Sequence, residues 1–134
     1  MKNLAFIIVS VLLFGGCNSK PSAAPQEQPM KTVLQIDTLD YWLGDVSKSQ
    51  GSVSHDFIVY NKGNNNLVIS KVGGGCHCMS AVFPKKPIAP GDSSVVTVTY
   101  DLSDPIGYVS RSTFIYSNSA PNPISLILRC NITE

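Results

Sequence analysis

Apolar and polar residues alternate along the chain after its first 31 residues, with a period of two rather than the 3.6 of a helix. Val53, Phe57 and Val59 fall on one side of their segment. Ser54 and Asp56 fall on the other side. This pattern predicts a strand with one face against a core and one face toward solvent.

Seven short segments carry strand signals and are separated by clusters of Gly, Pro, Asn and Asp. No stretch of helical length shows a helical period. These features predict a single all-β domain over residues 32–134, an immunoglobulin-like β-sandwich of about seven strands. The predicted strands run over residues 32–38, 52–60, 67–72, 80–84, 94–101, 108–117 and 124–132.

Two side chains are assigned to the core from their positions. In the last predicted strand Leu128 and Cys130 alternate with the polar Arg129, so Cys130 is predicted to point inward. Trp42 is also predicted to be buried, because a tryptophan in a sandwich usually packs in the core. The alternative is that Tyr41 and Trp42 form an exposed aromatic patch for a partner.

The first 16 residues have the layout of a signal peptide: a basic Lys2, an apolar run over residues 4–14, and two glycines before Cys17. The run is shorter than the roughly 20 residues of a membrane-spanning helix. Residues 13–17 resemble the lipobox of bacterial lipoproteins. The resemblance implies that residues 1–16 are removed and that lipidated Cys17 anchors the exported chain to a cell-envelope membrane, facing the periplasm.

Residues 17–31 are rich in proline and in small or polar residues, which predicts a disordered tether between the lipid and the domain. Loss of Lys2 with the signal peptide leaves nine basic and nine acidic residues, from ten and nine in the full sequence. Without a basic excess, nucleic-acid binding is not expected. The expected partners are the membrane, through the lipid, and an envelope protein or a glycan.

Several short motifs follow one another in a distinctive order. They include Asn61-Lys62-Gly63, Cys76-His77-Cys78, Pro84-Lys85, Pro90-Gly91 and Tyr100-Asp101. This order resembles the bacterial family catalogued as domain of unknown function 1573, whose members look like immunoglobulin-type sandwiches related to domains of cilia and centrosome proteins. The family's middle motif usually reads Ser-Cys-Gly-Cys-Thr, so His77 and Met79 differ from it, and Cys130 stands in place of a glycine. The resemblance implies a fold and export, and no established activity.

The segment Cys76-His77-Cys78-Met79 is the main cluster of reactive side chains, and it follows three consecutive glycines. Two thiolates, an imidazole and a thioether are ligand types that select copper(I), so these four residues are a candidate copper site. Thiol–disulfide exchange by Cys76 and Cys78 is a second candidate. The simplest interpretation is a structural disulfide in an oxidising compartment.

Lipidation of Cys17 would leave three cysteines, Cys76, Cys78 and Cys130, which allow three pairings with one thiol left over. A bridge between Cys76 and Cys78 closes a tight ring. Either of them could reach Cys130 if the loop packs beside the last strand. The sequence leaves the pairing open.

Other candidate residues have simpler structural explanations. His55 shares a face with Val53 and Phe57, which predicts a histidine at the edge of the core with one hydrogen-bond partner. Asp101 and Asp104 flank a turn, where Asx-type hydrogen bonds account for them. No catalytic triad order, nucleophile elbow or phosphate-binding loop is present, so enzyme activity is not expected.

Together these features predict a membrane-anchored cell-envelope lipoprotein with a non-enzymatic, immunoglobulin-like binding or structural module. The alternative is a copper-binding or thiol-redox protein that works through the Cys76-His77-Cys78-Met79 cluster.

Overall fold

The computed structural model of the protein describes residues 32–134. Within that range the chain forms eight strands and one short turn of 3-10 helix, Lys48–Gln50, between the second and third strands. The strands are β1 Leu34–Ile36, β2 Asp40–Ser47, β3 Ser52–Asn61, β4 Ile69–Gly73, β5 Met79–Val82, β6 Ser93–Asp101, β7 Gly107–Ser117 and β8 Ile124–Thr133.

The strands form two four-stranded sheets. The first has the order β1-β3-β6-β5 and is antiparallel throughout. The second has the order β2-β8-β7-β4, in which β2 runs parallel to β8 and the other pairs are antiparallel. The predicted all-β class is therefore confirmed, and the seven predicted strands correspond to β1 and to β3 through β8.

The core lies between the two sheets and is built from the faces that the alternation predicts. Phe57 and Val59 of β3 have no exposed surface, and Cys130 of β8 is 1% exposed, as predicted. Full burial of each large apolar side chain contributes about 1.5–3 kcal/mol relative to exposure, so this interface is the main source of stability. The remaining fully buried apolar side chains are Leu67, Val96, Val98, Ile115, Leu126 and Ile132.

Strand β2 was not predicted from the sequence, and the position of its tryptophan, Trp42, was predicted wrongly. Trp42 is 51% exposed, so the prediction that it packs in the core is wrong. The register explains this, because Trp42 pairs with the outward-facing Arg129, whereas Tyr41 pairs with the buried Leu128. An irregularity between Trp42 and Asp45 breaks the alternation within β2, which removes the signal that identifies a strand.

A buried amide joins two loops at one end of the sandwich. Asn61 has no exposed surface, and its Nδ2 group donates to the carbonyl oxygens of Asn65 and Ile88, both at 2.8 Å. Its Oδ1 atom accepts from the Gly63 N–H at 3.0 Å. The backbone of Asn61 also bonds to Gly91 and Asp92. Asn61 therefore fixes the loop after β3 against the segment that leads into β6.

Candidate functional site

The cysteine loop, residues 73–78, connects β4 at the edge of one sheet to β5 at the edge of the other. Gly74 and Gly75 have φ values of +92° and +91°, a region that residues with a side chain rarely adopt. A Cβ atom on Gly75 would also overlap the carbonyl oxygen of Ser112 in β7. Glycine is thus required at position 75 both by the backbone conformation and by the close approach to β7.

Cys76 and Cys78 are joined by a disulfide, with their Cα atoms 5.1 Å apart. The Cys78 N–H donates to the sulfur of Cys76 at 3.1 Å. Cys130 is free and buried, and burial raises the pKa of its thiol. Of the three pairings that the sequence allows, the structure has the tight ring, and it leaves a protected thiol in the core.

The predicted copper ligands are adjacent but are not assembled as a ligand set. His77 is exposed, and Met79 is partly buried against the core as the first residue of β5. With Cys76 and Cys78 bonded to each other, neither sulfur is a thiolate, which is the form that binds soft metals. Across residues 32–134 no three side chains of His, Cys, Asp or Glu converge as metal ligands.

We expect the Cys76–Cys78 bridge to be found by peptide mapping without reduction, with Cys130 alkylated only after denaturation. A ring of three residues restricts the unfolded chain little, so replacing both bridge cysteines with serine should lower the free energy of unfolding by only about 1.5 kcal/mol. A bridge to Cys130 would span over 50 residues and should contribute roughly 4 kcal/mol. Peptides that link Cys130 to either loop cysteine would contradict this assignment.

Asp104 has a different role from the turn bonding predicted for it. Its carboxylate accepts hydrogen bonds from the hydroxyl of Tyr100 and from the guanidinium of Arg111. These hydrogen bonds hold the pKa of Asp104 below its usual value. Tyr100 is 1% exposed, so the bond to Asp104 gives its buried hydroxyl a partner. The same bond attaches the turn that precedes β7 to strand β6.

Four residues on the outer side of the second sheet form a group that we call the aromatic face: Asp40, Trp42, Tyr108 and Arg129. The rings of Trp42 and Tyr108 lie at 17° to each other with centroids 6.1 Å apart. The Arg129 guanidinium pairs with Asp40 at 2.5 Å and donates to the Tyr108 hydroxyl at 3.4 Å. The alternative prediction of an exposed patch is right for Trp42, but it named Tyr41 rather than Tyr108 as the neighbour. Sequence reasoning missed the grouping with Asp40, Tyr108 and Arg129 because it joins three strands.

The predicted lipidation site, Cys17, and the predicted signal peptide and tether lie outside the described residues. Within residues 32–134 there is no helix with the length and apolar character needed to cross a membrane.

Comparison with known families decides the classification of the domain. The sequence matches, over residues 34–132, the family described as Protein of unknown function (DUF1573). The chain belongs to this family. The match covers every strand of the DUF1573 domain except the last residue of β8. No curated protein matches the chain significantly.

Solved structures confirm that the DUF1573 domain has an immunoglobulin-like, PapD-like fold. The ASH/PapD-like domain 7 of human CEP192 has a TM-score of 0.56 at 13% identity, with 97% of this chain and 99% of that domain covered. A protein of unknown function from Porphyromonas gingivalis W83 has a TM-score of 0.65 at 15% identity, with 76% and 47% covered. The Vibrio cholerae VesB protease has a TM-score of 0.56 at 20% identity, with 75% and 32% covered.

The chain thus spans about half of the Porphyromonas protein and about a third of the protease. At these identities the likeness concerns the fold alone.

His55 of the DUF1573 domain lies at the edge of the core, as predicted, but ring contacts hold it and the predicted hydrogen bond is not formed. Its ring stacks on Tyr41 with centroids 3.5 Å apart and meets the edge of Phe57 at 4.8 Å. Its Nε2 atom is buried and has no hydrogen-bond partner. Burial lowers the pKa of His55, and the nearby carboxylates of Asp37 and Asp56 oppose this shift only in part. The imidazole therefore joins the two sheets as a neutral ring.

This environment predicts a pH-dependent stability. The unfolded chain binds a proton on His55 near pH 6.5, whereas the folded chain binds it only at lower pH. The free energy of unfolding should therefore fall as the pH decreases from 7 through 6.5, until the folded-state pKa is reached. Urea unfolding at several pH values measures this slope. His55→Phe should flatten it, and His77→Gln, at the exposed second histidine, should leave it unchanged; equal slopes in all three proteins would contradict the assignment.

Proposed function

We propose that the protein is a cell-envelope lipoprotein whose sandwich domain is a non-enzymatic binding module held at the membrane by lipid on Cys17. The observation that carries the location is the layout of residues 1–17, in which a short basic and apolar segment ends at two glycines and a cysteine. Each methylene group that enters the bilayer contributes about 0.8 kcal/mol to the free energy of membrane binding, so several acyl chains together anchor a small domain stably.

The state of the reactive side chains supports binding rather than catalysis. Cys130 is buried, and the two loop cysteines are bonded to each other. His55 is packed between aromatic rings, and Asp104 is engaged by Tyr100 and Arg111. These groups are therefore occupied by structural contacts, whereas the aromatic face is turned to solvent.

The test of the location is mass spectrometry of the intact protein and its peptides after extraction from its native membrane. We expect a mature N-terminus at Cys17 that carries the mass of a diacylglyceryl group and an amide-linked acyl chain. A Cys17→Ser variant should lose both the lipid and the membrane association. An unmodified Cys17 within an uncleaved chain, or a soluble wild-type protein, would contradict the proposal.

Thiol–disulfide exchange is the second candidate function, and the partly exposed Cys76–Cys78 bond favours it. A thiolate of a partner would attack one sulfur, break this bond and form a mixed disulfide, with the other sulfur released as a thiolate. In a Cys76→Ser or Cys78→Ser variant the remaining thiolate would instead attack a disulfide of an oxidised partner, releasing one partner sulfur as a thiolate. The resulting mixed disulfide lacks the second loop cysteine that would resolve it, so acid quenching of cells followed by alkylation should detect it. Full oxidation of Cys76 and Cys78 without any trapped partner would exclude this role.

A further inference from the structure

The aromatic face presents two large aromatic side chains to solvent on the outer surface of the second sheet, and the exposed Leu39 and Ile106 lie just outside β2 and β7. Trp42 is 51% exposed and Tyr108 is 62% exposed. They project from β2 and β7, on either side of β8, and Arg129 lies on the strand between them. Their centroid distance of 6.1 Å is much longer than the 3.5 Å of the Tyr41–His55 stack, so the two rings are not in close face-to-face contact.

The polar groups around the rings are fixed in position and already paired in charge. Arg129 is neutralised by Asp40 and bonded to the Tyr108 hydroxyl. In the next row of the sheet, Asn131 donates to Asp45 at 2.9 Å. An acidic ligand would therefore meet a cation that is already neutralised, together with two carboxylates. This arrangement favours an uncharged ligand that exchanges hydrogen bonds with carboxylate oxygens and guanidinium N–H groups.

The exposed area is small for a protein interface. Aromatic side chains offer about 150–250 Å² each, so two side chains that are 51% and 62% exposed together present roughly 170–280 Å². A stable protein interface buries roughly 800 Å² on each partner. The outward positions next to the rings in β7 are Ser110 and Ser112, which add little apolar area. The exposed area of the aromatic face therefore fits one or two sugar-sized rings better than the surface of a second protein.

We propose that the aromatic face binds an uncharged glycan. A sugar ring presents C–H groups on its faces and hydroxyl groups around its rim. The C–H face can stack on the Trp42 and Tyr108 rings, while the rim hydroxyls donate to the carboxylates of Asp40 and Asp45 and accept from Arg129. This inference rests on the proposed function, since it identifies the ligand class of the envelope binding module.

The test uses the fact that Trp42 is the one tryptophan in the sequence, so the tryptophan fluorescence of the full chain reports on this face alone. The membrane-extracted protein, in a zwitterionic detergent without a sugar headgroup, is titrated with cellohexaose, laminarihexaose, mannohexaose and chitohexaose. We expect a saturable change with at least one of them, at a dissociation constant below about 1 mM. Galacturonic acid hexamer, which is anionic, should bind at least tenfold more weakly than the best neutral sugar.

Variants then locate the site by calorimetry, which does not depend on the tryptophan. Trp42→Ala and Tyr108→Ala should each weaken binding at least tenfold. Tyr60→Ala is the matched control, since Tyr60 lies on β3 in the other sheet and should leave the affinity unchanged. Unfolding curves of each variant show whether the fold is retained, and Trp42→Phe, which keeps a ring, should restore much of the affinity.

Three results would overturn the inference: no saturable response to any of the four neutral sugars, binding that survives both alanine substitutions, or dimerisation of the chain that depends on Trp42. None of these touches the lipid on Cys17, so the envelope location is judged separately by mass spectrometry. A lipidated protein that binds none of the sugars would support the proposed envelope location and contradict the proposed glycan binding.

Discussion

Replacing Asn61 with alanine is expected to lower the free energy of unfolding by about 3 kcal/mol. The amide makes three hydrogen bonds to backbone groups, and the bond to the Ile88 carbonyl is fully buried. Truncation would leave these partners unsatisfied where water has little access, at a cost of about 1 kcal/mol or more each. Urea denaturation of the wild type and Asn61→Ala measures the difference.

Asn65 offers a control in the same loop. Its Oδ1 atom accepts from the neighbouring Asn66 N–H at an exposed position, and its backbone carbonyl, which Asn61 uses, is kept in Asn65→Ala. This variant should lose less than about 0.5 kcal/mol. Equal losses at positions 61 and 65 would show that the buried amide does not hold the two loops together.

Gly75→Ala is expected to destabilise the domain by roughly 2–4 kcal/mol and to displace the cysteine loop from β7. The substitution adds two costs. The φ of +91° disfavours any residue with a Cβ, and that Cβ would overlap the Ser112 carbonyl oxygen, a backbone atom fixed in β7. Denaturation measures the stability, and amide hydrogen exchange across residues 73–79 measures the displacement.

Gly74→Ala separates these two costs. Gly74 has nearly the same φ, +92°, but its added Cβ would touch only the Phe114 side chain at 3.4 Å. It should therefore show the conformational cost alone, about 1–2 kcal/mol, with the loop still in place. Similar losses and similar exchange at the two positions would mean that the approach to Ser112 does not constrain the loop.

Strand positions and inward faces could be predicted because they depend on local alternation. Phe57, Val59 and Cys130 were placed correctly, since a strand with one buried face repeats its apolar residues every second position. The same logic failed for β2. There an irregularity between Trp42 and Asp45 interrupts the repeat, and edge pairing with β8 decides which side chains face outward.

The candidate sites depended on contacts between distant parts of the chain. The sequence predicts Asp104 to be a turn residue, whereas the structure places Arg111 of β7 beside it as a hydrogen-bond donor. The cysteines allowed three pairings, and the structure has the bond between Cys76 and Cys78, with the buried Cys130 left free.

The sequence by itself thus determined the all-β class, the family, the inward faces of the strands and the segment that holds the cysteines. Those features follow from local periodicity and from short motifs. The tertiary structure alone decided the exposure of Trp42, its pairing with Tyr108 across β8 and the burial of the Asn61 amide. These depend on strand order and register, which bring together residues separated by tens of positions and which no local pattern encodes.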